Sequence, residues 1–202
     1  MSNMMALNKM KEEGRDMNEE ELIKKAKQGN MLAFQQLVEL HYPVVEKFAY
    51  QLGNRQEEIE DITQEVFIRV YRFIDQFTKA KFSTWLYKIT LNVTRDFARK
   101  RQSNLRKVFK IQQDFRQEYY PETEAEVLRN EEDRVLHLAI QKLDEKYRIP
   151  IVLFYFHEKK YEEISEIMSI SLSTVKTRIL RGKTMLKKVI EELDKKEGDI
   201  HG

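Results

Sequence analysis

Lys88, Asn92, Arg95 and Arg99 recur at steps of three or four, so on a helix they share one face. Asparagine and arginine can each make bidentate contacts to base edges or phosphates, and between Lys79 and Lys110 the ten basic residues meet a single acid, Asp96. An acid-poor face of this kind has no i,i+4 pairing to neutralise it and is suited to nucleic acid. A second set of the same character comes late. Ser173, Thr174, Lys176, Thr177, Arg178 and Arg181, followed by Lys183 and Lys187, fall in a stretch from Leu172 to Ile190 that contains no acid. A third face, with Asp61, Glu65, Ile68 and Arg72, mixes charges beside an apolar stripe and has no role in a simple DNA binder.

Other chemistries are excluded by what is missing. The chain has no cysteine, which removes disulfides, thiolate zinc sites and cysteine nucleophiles. Its four histidines, His41, His137, His157 and His201, lack the paired spacing a metal requires and read as surface or half-buried side chains. An enzyme acting on nucleic acid would need clustered carboxylates or a nucleophile with its base, whereas the acids lie mainly in one connecting stretch and on helix surfaces. The expectation is a protein that is not an enzyme and takes no cofactor, no metal and no small-molecule substrate. No apolar run approaches the roughly 20 residues that cross a bilayer, and the first residues lack a signal-peptide core, so a cytoplasmic location is expected.

The elements that must position these residues follow from periodicity. At 202 residues, 41% apolar and 35% charged, the chain suits two small globular domains. The formal net charge of +2 hides a segregation: a basic block, an acidic stretch around Pro121, then a second basic block. With six glycines and three prolines and helical apolar spacing throughout, both domains are expected to be all-α. Asn18, with Glu21 three residues on, is placed as the first N-cap. Ile59, Ile62, Val66, Val70, Phe73 and Phe77 form the buried stripe of one helix. Trp85, Ile89, Val93 and Phe97 form that of the next, which starts near Ser83 after a cluster of Phe77, Phe82, Trp85 and Tyr87; Trp85 and Phe97 read as core rather than as stacking platforms. Tyr161 to Met168, the turn Ser169-Ile170-Ser171 and a helix from Leu172 capped by Ser171 read as a helix-turn-helix. Its inward residues are Ile164, Ile167, Met168, Val175, Ile179, Leu186, Val189 and Ile190. The expected layout is a disordered 1–17, a first helical domain 18–103, a flexible acidic linker 104–132, a helix-turn-helix domain 133–195 and a disordered tail 196–202.

Three motifs in this order resemble a known family across about Leu22 to Glu192. The stretch from Asp61-Ile62-Thr63-Gln64-Glu65 to Tyr71 is similar to the segment with which sigma factors dock on RNA polymerase. Phe82-Ser83-Thr84-Trp85-Leu86-Tyr87-Lys88-Ile89, continuing to Asn92 and Asp96, resembles the helix that recognises the −10 promoter element. Tyr161-Glu162-Glu163-Ile164 and Ser173-Thr174-Val175-Lys176-Thr177-Arg178 resemble the helix-turn-helix that reads the −35 element. Two domains and a linker are similar to the extracytoplasmic-function group of sigma factors. The resemblance implies an alternative sigma factor that binds core RNA polymerase at its beta prime clamp and beta flap and directs initiation at promoter DNA. It implies core contacts at Asp61, Gln64, Glu65, Ile68 and Arg72, with −10 contacts at Lys88, Asn92, Arg95 and Arg99. For the −35 element it implies Ser173, Thr174, Lys176, Thr177, Arg178, Arg181 and Lys183. It further implies a linker that threads the polymerase cleft, and an anti-sigma factor, often membrane-anchored, that holds the protein inactive.

The chain departs from the family pattern at several points. Ser165 replaces the usual Ala, Ser169 the usual Gly, Leu143-Asp144 lacks a proline, and His157-Glu158-Lys159-Lys160 lacks a glycine. Gly182 stands where Ala is usual, which by helix propensity alone costs about 0.5 to 1 kcal/mol. The competing reading is a stand-alone helix-turn-helix regulator, which would need an apolar dimerisation seam or a ligand pocket, and no spare apolar stripe is present.

Overall fold

The computed structural model describes residues 18–78, 81–111 and 131–198, and all its regular structure is helical. The expected disorder at 1–17, residues 112–130 of the expected linker and the last four residues lie outside that set.

The first domain is built from α1 (Glu19–Lys27), α2 (Met31–Gln51), α3 (Gln56–Phe73), a short 3-10 turn (Ile74–Gln76) and α4 (Phe82–Ile111). Asn18 caps α1 by accepting from the Glu21 backbone N–H at 2.9 Å, and Asn30 caps α2 through the Ala33 N–H at 3.0 Å. Both caps satisfy donors that a helix start leaves free. Leu37, Val45, Ile62, Val66, Val70, Leu86 and Val93 close one core, each contributing about 1.5–3 kcal/mol of burial. The buried hydroxyls of Thr63 and Thr90 donate to carbonyls one turn earlier, at 2.8 and 2.9 Å, so they cost the core no unpaired donor.

Phe73 leaves the stripe expected of it. The α-helix ends at this residue, the backbone tightens into the 3-10 turn, and Ile74 takes the inward position at 3% exposure while Phe73 stands 39% exposed. Along α4 the buried set is also wider than the expected stripe. Trp85, Ile89 and Phe97 are only half-buried against the core, whereas Phe82, Leu86, Tyr87, Leu91 and Val93 are fully buried. The helix is covered from two directions.

The second domain comprises α5 (Glu131–Gln141), α6 (Glu145–Tyr155), α7 (Tyr161–Met168) and α8 (Leu172–Gly198). Ile149, Ile151, Leu153, Ile164, Ile167, Val175 and Ile179 fill its core, and that core continues into the first domain through Phe48, Tyr87 and Leu91. Gly182 is explained by this packing. A Cβ there would meet Ile151 Cγ1 at 2.9 Å, so glycine is what lets α6 and α8 approach.

Candidate nucleic-acid interface

The helix-turn-helix has the limits expected of it, and its turn is held by side chains. Ser169 ends α7 in the left-handed region, at φ 54°. The Ser165 hydroxyl donates to the Ile170 carbonyl at 2.5 Å, and the Ile170 N–H bonds Ser165 O at 3.1 Å. The unusual serine at 165 therefore ties the turn to α7. Ser171 Oγ then accepts from the Thr174 N–H at 3.2 Å and starts α8.

With Val175 and Ile179 pinned in the core, the opposite side of α8 is forced outward. Ser173, Lys176, Thr177, Arg181 and Lys183 are exposed, and Thr174 and Arg178 are half-buried. The Thr177 hydroxyl donates to its own helix at Ser173 O, 2.9 Å away, leaving its oxygen as an acceptor toward solvent. No acid among the described residues pairs with Lys176, Arg178, Arg181 or Lys183. Two residues of α6 that sequence reading missed, Lys146 and Tyr147, join Ser173, Thr174, Thr177, Arg178 and Arg181 around a concavity of about 400 Å³. Their signal was a basic–aromatic pair just after the Asp144 cap, obscured by the adjoining Glu145. Leu180, 69% exposed on the outer side of α8, was also missed; it falls one turn from Lys176, Thr177, Lys183 and Thr184.

On α4, Lys88, Asn92 and Arg99 are exposed as expected. The face is less free of acids than its sequence suggests. Arg99 pairs with Asp96 one turn away, and Arg95 donates through Nε to Glu145 of the second domain at 2.8 Å. Asp96 also receives Arg69 of α3 at 2.8 Å. Burial pushes the Asp96 carboxyl up, but hydrogen bonds from Arg69 and Arg99 outweigh that and hold it below the usual carboxylate range.

The third face lies on α3. Asp61, Gln64, Ile68 and Arg72 are exposed, with Ile68 at 50%, beside an exposed Tyr71 whose ring packs on Phe34 at 5.1 Å. Glu65 is half-buried and engaged by Arg69 Nε at 2.7 Å, so Arg69 bridges α3 to α4 through two carboxylates. Among the described residues no group of His, Asp and Glu could hold a metal ion, and no helix formed by them is long and apolar enough to cross a membrane.

Two basic faces on separate helical domains, together with a mixed face on α3, are what comparison with known proteins explains. Residues 37–104 match the sigma-70 region 2 family and residues 133–186 match sigma-70 region 4. The chain belongs to the extracytoplasmic-function group of the sigma-70 family. It is 36% identical over 179 residues to the ECF RNA polymerase sigma factor SigW of Bacillus subtilis, covering 85% of this chain and 96% of that protein. It is 32% identical over 167 residues to the ECF sigma factor SigE of Mycolicibacterium smegmatis, covering 79% of this chain and 62% of that one. Among solved structures, CnrH in complex with the cytosolic domain of CnrY superposes with a TM-score of 0.65 at 25% identity, over 85% of this chain and 96% of CnrH. The sigma factor is thus an alternative, promoter-recognising initiation factor. The region 2 match runs from within α2 to within α4, and the region 4 match from within α5 to within α8.

Proposed function

We propose that the sigma factor divides promoter reading between α8 and α4 and docks on core RNA polymerase through the exposed side of α3, acting without catalysis of its own. The observation that carries this is the exposure of two cationic faces on different domains, each held outward by a buried stripe behind it. At the −35 element, Arg178 is placed to read a base. Ser173, Thr174, Lys176, Thr177 and Arg181 line the groove beside it, and Lys183 and Lys146 take phosphates. Leu180 offers an apolar contact of the kind that a thymine methyl accepts. At the −10 element, Lys88, Asn92, Arg95 and Arg99 act on the opened strand, where a base can be held out of the stack. Asp61, Gln64, Ile68 and Arg72, with Glu65 as the partly engaged member, face the polymerase clamp, and region 4 meets the flap. CnrH is held in a complex with the cytosolic domain of CnrY; a protein inhibitor, covering the exposed α3 face, is proposed for this chain. The cytoplasm is the location such a partner set requires.

The test compares Arg178→Ala and Asn92→Ala holoenzymes on promoters altered in one element at a time. Arg178→Ala loses about 1–3 kcal/mol of discrimination at one upstream position, whereas Lys183→Ala weakens binding evenly and lowers the salt slope by about one. The Asn92→Ala defect depends on the −10 sequence and shrinks on templates already melted there. If both variants lose discrimination at the same element, the division of roles is wrong. No observation favours a stand-alone regulator, since the apolar surface of α4 that could have formed a dimer seam is covered by the chain's own second domain.

A further inference from the structure

Arg95 and Arg101 of α4 and Arg148 of α6 line one crevice of about 100 Å³, where these two helices meet the turn that joins α2 to α3. Leu52, Leu91, Ala98 and Ile149 give it largely apolar walls. Gly53 brings the turn against the third arginine: at φ 88° it has no Cβ, and one there would lie 2.7 Å from Arg148 Nη1. Among the described residues the one acid in the lining is Glu145, and Arg95 Nε already takes it at 2.8 Å. Arg101 pairs with Glu58, which is not in the lining. Arg148 pairs with no carboxylate among the described residues. Its Nη1 donates to two neutral acceptors, Gln141 Oε1 at 2.6 Å and the Gln141 carbonyl at 3.3 Å, and its Nε is buried without a hydrogen-bond partner.

Three guanidinium groups against one carboxylate give the crevice an excess of positive charge between walls of low dielectric, where charges interact strongly. A buried cation without a counter-charge costs several kcal/mol. Burial accordingly lowers the pKa of Arg148 by more than Glu145 and Asp144 raise it. A buried donor left unbonded adds about 1–3 kcal/mol. An anion seated in the crevice offsets both costs. The guanidinium fork fits a phosphoryl group, which accepts two parallel bonds from one arginine and has oxygens to spare for a second. A space of about 100 Å³ accepts one such group and is too small to enclose a nucleoside. A phosphodiester within a strand carries a sugar on either side, so the group that fits is free or terminal.

We propose that Arg95, Arg101 and Arg148 form a binding site for a free or terminal phosphoryl group, supplied as inorganic phosphate or as the end of a nucleoside triphosphate, which bridges α4 and α6. Arg95 is shared with the −10 face, whereas Arg101 and Arg148 have no part in it, so the site stands independently of that assignment.

The test titrates the full chain by calorimetry with inorganic phosphate and, separately, with ATP, at fixed ionic strength so that general screening is constant. Phosphate should bind at one saturable site per chain, with a dissociation constant of about 1 mM or tighter, and should raise the thermal unfolding midpoint as its concentration rises. ATP that binds more tightly and competes with phosphate identifies a terminal group as the ligand; phosphate that binds as tightly as ATP identifies the free anion. Arg148→Gln and Arg101→Gln should each weaken phosphate binding by about ten- to a hundredfold. Arg101 is only half-buried, so if Arg148→Gln loses helicity by circular dichroism, Arg101→Gln decides the matter. Lys188→Gln removes an equal charge from an exposed position outside the crevice and should bind phosphate at the wild-type level. The site is overturned if neither ligand binds saturably, or if Lys188→Gln weakens binding as much as Arg101→Gln does.

Discussion

At the residue scale, two side chains occupy backbone that suits glycine. Glu158 and Ser169 have φ of 50° and 54°. Left-handed backbone costs a side-chain-bearing residue about 1–2 kcal/mol, part of which glycine gives back through its greater unfolded-state entropy. Glu158→Gly and Ser169→Gly should each stabilise the protein by about 0.5–1 kcal/mol, read as a raised urea midpoint with unchanged slope. A fall in midpoint at 169 would mean that the turn depends on its serine side chain. The Ser165 hydroxyl bonded to Ile170 O offers a reason the left-handed serine is tolerated, since it ties down the strained turn from the other side.

At the element scale, α8 is both recognition helix and core helix, and Gly182 shows how the two demands conflict. Propensity alone says that Gly182→Ala stabilises α8 by about 0.5–1 kcal/mol. Packing says the reverse. The new methyl would lie 2.9 Å from Ile151 Cγ1 and 3.4 Å from Tyr147 Cβ, and overpacking of this kind costs about 1–3 kcal/mol. Overpacking outweighs propensity, so Gly182→Ala should lower stability by about 1 kcal/mol, read as a lowered unfolding midpoint. It should also weaken −35 binding, because pushing α6 from α8 displaces Tyr147 and Lys146 from the groove beside Arg178. Equal or higher stability would show that α6 yields without cost.

At the scale of the whole molecule, the packing of the second domain on the first should respond to pH. Burial, with Lys47 and Lys159 nearby, lowers His157 from 6.5 to about 4. His137, stacked on Tyr50 at 4.6 Å across the same boundary, is lowered in the same direction by burial and then by Arg148. The groups facing His157 are Lys47 and Gln51 of α2, Tyr87 of α4 and Lys159. Glu163 bears on the Tyr87 hydroxyl, which burial pushes up. Above pH 6.5 the His157 ring is neutral whether buried or exposed and the packing is at full strength. As pH falls from 6.5 toward 4 an exposed His157 takes up a proton that the buried ring refuses, and about 3 kcal/mol of packing is lost by the lower limit. Burial pushes the Glu163 carboxyl up, but hydrogen bonds from the Lys160 backbone and Lys81 outweigh that and hold it below the usual carboxylate range. Energy transfer between dyes on cysteines introduced at the exposed positions Asp75 and Lys188 should therefore decline between these limits while helicity persists, and His157→Gln should reduce the response, His137 carrying the remainder.

The helices, their caps and their outward faces were legible in the sequence because each is decided within a few residues. Asn18 and Ser171 cap where local chemistry places them, α7 begins and ends and α8 begins at the residues the periodicity marks, and the acid-free run from Leu172 to Ile190 announces its own solvent face. The family followed from motifs of the same local kind. Tertiary structure decided what the apolar residues pack against. Periodicity states that a side chain is buried without naming the core it enters, so Tyr87 and Leu91 read as more of the same helix although they meet residues some seventy positions away. Phe73 left the stripe because a helix end retightened, and Gly182 reads as a defect until Ile151 is seen beside it. Arg95 departs from its expectation for a similar reason. Whether a surface cation is free or engaged depends on an acid supplied by a distant helix, and Glu145 reaches Arg95 only once the two domains are packed.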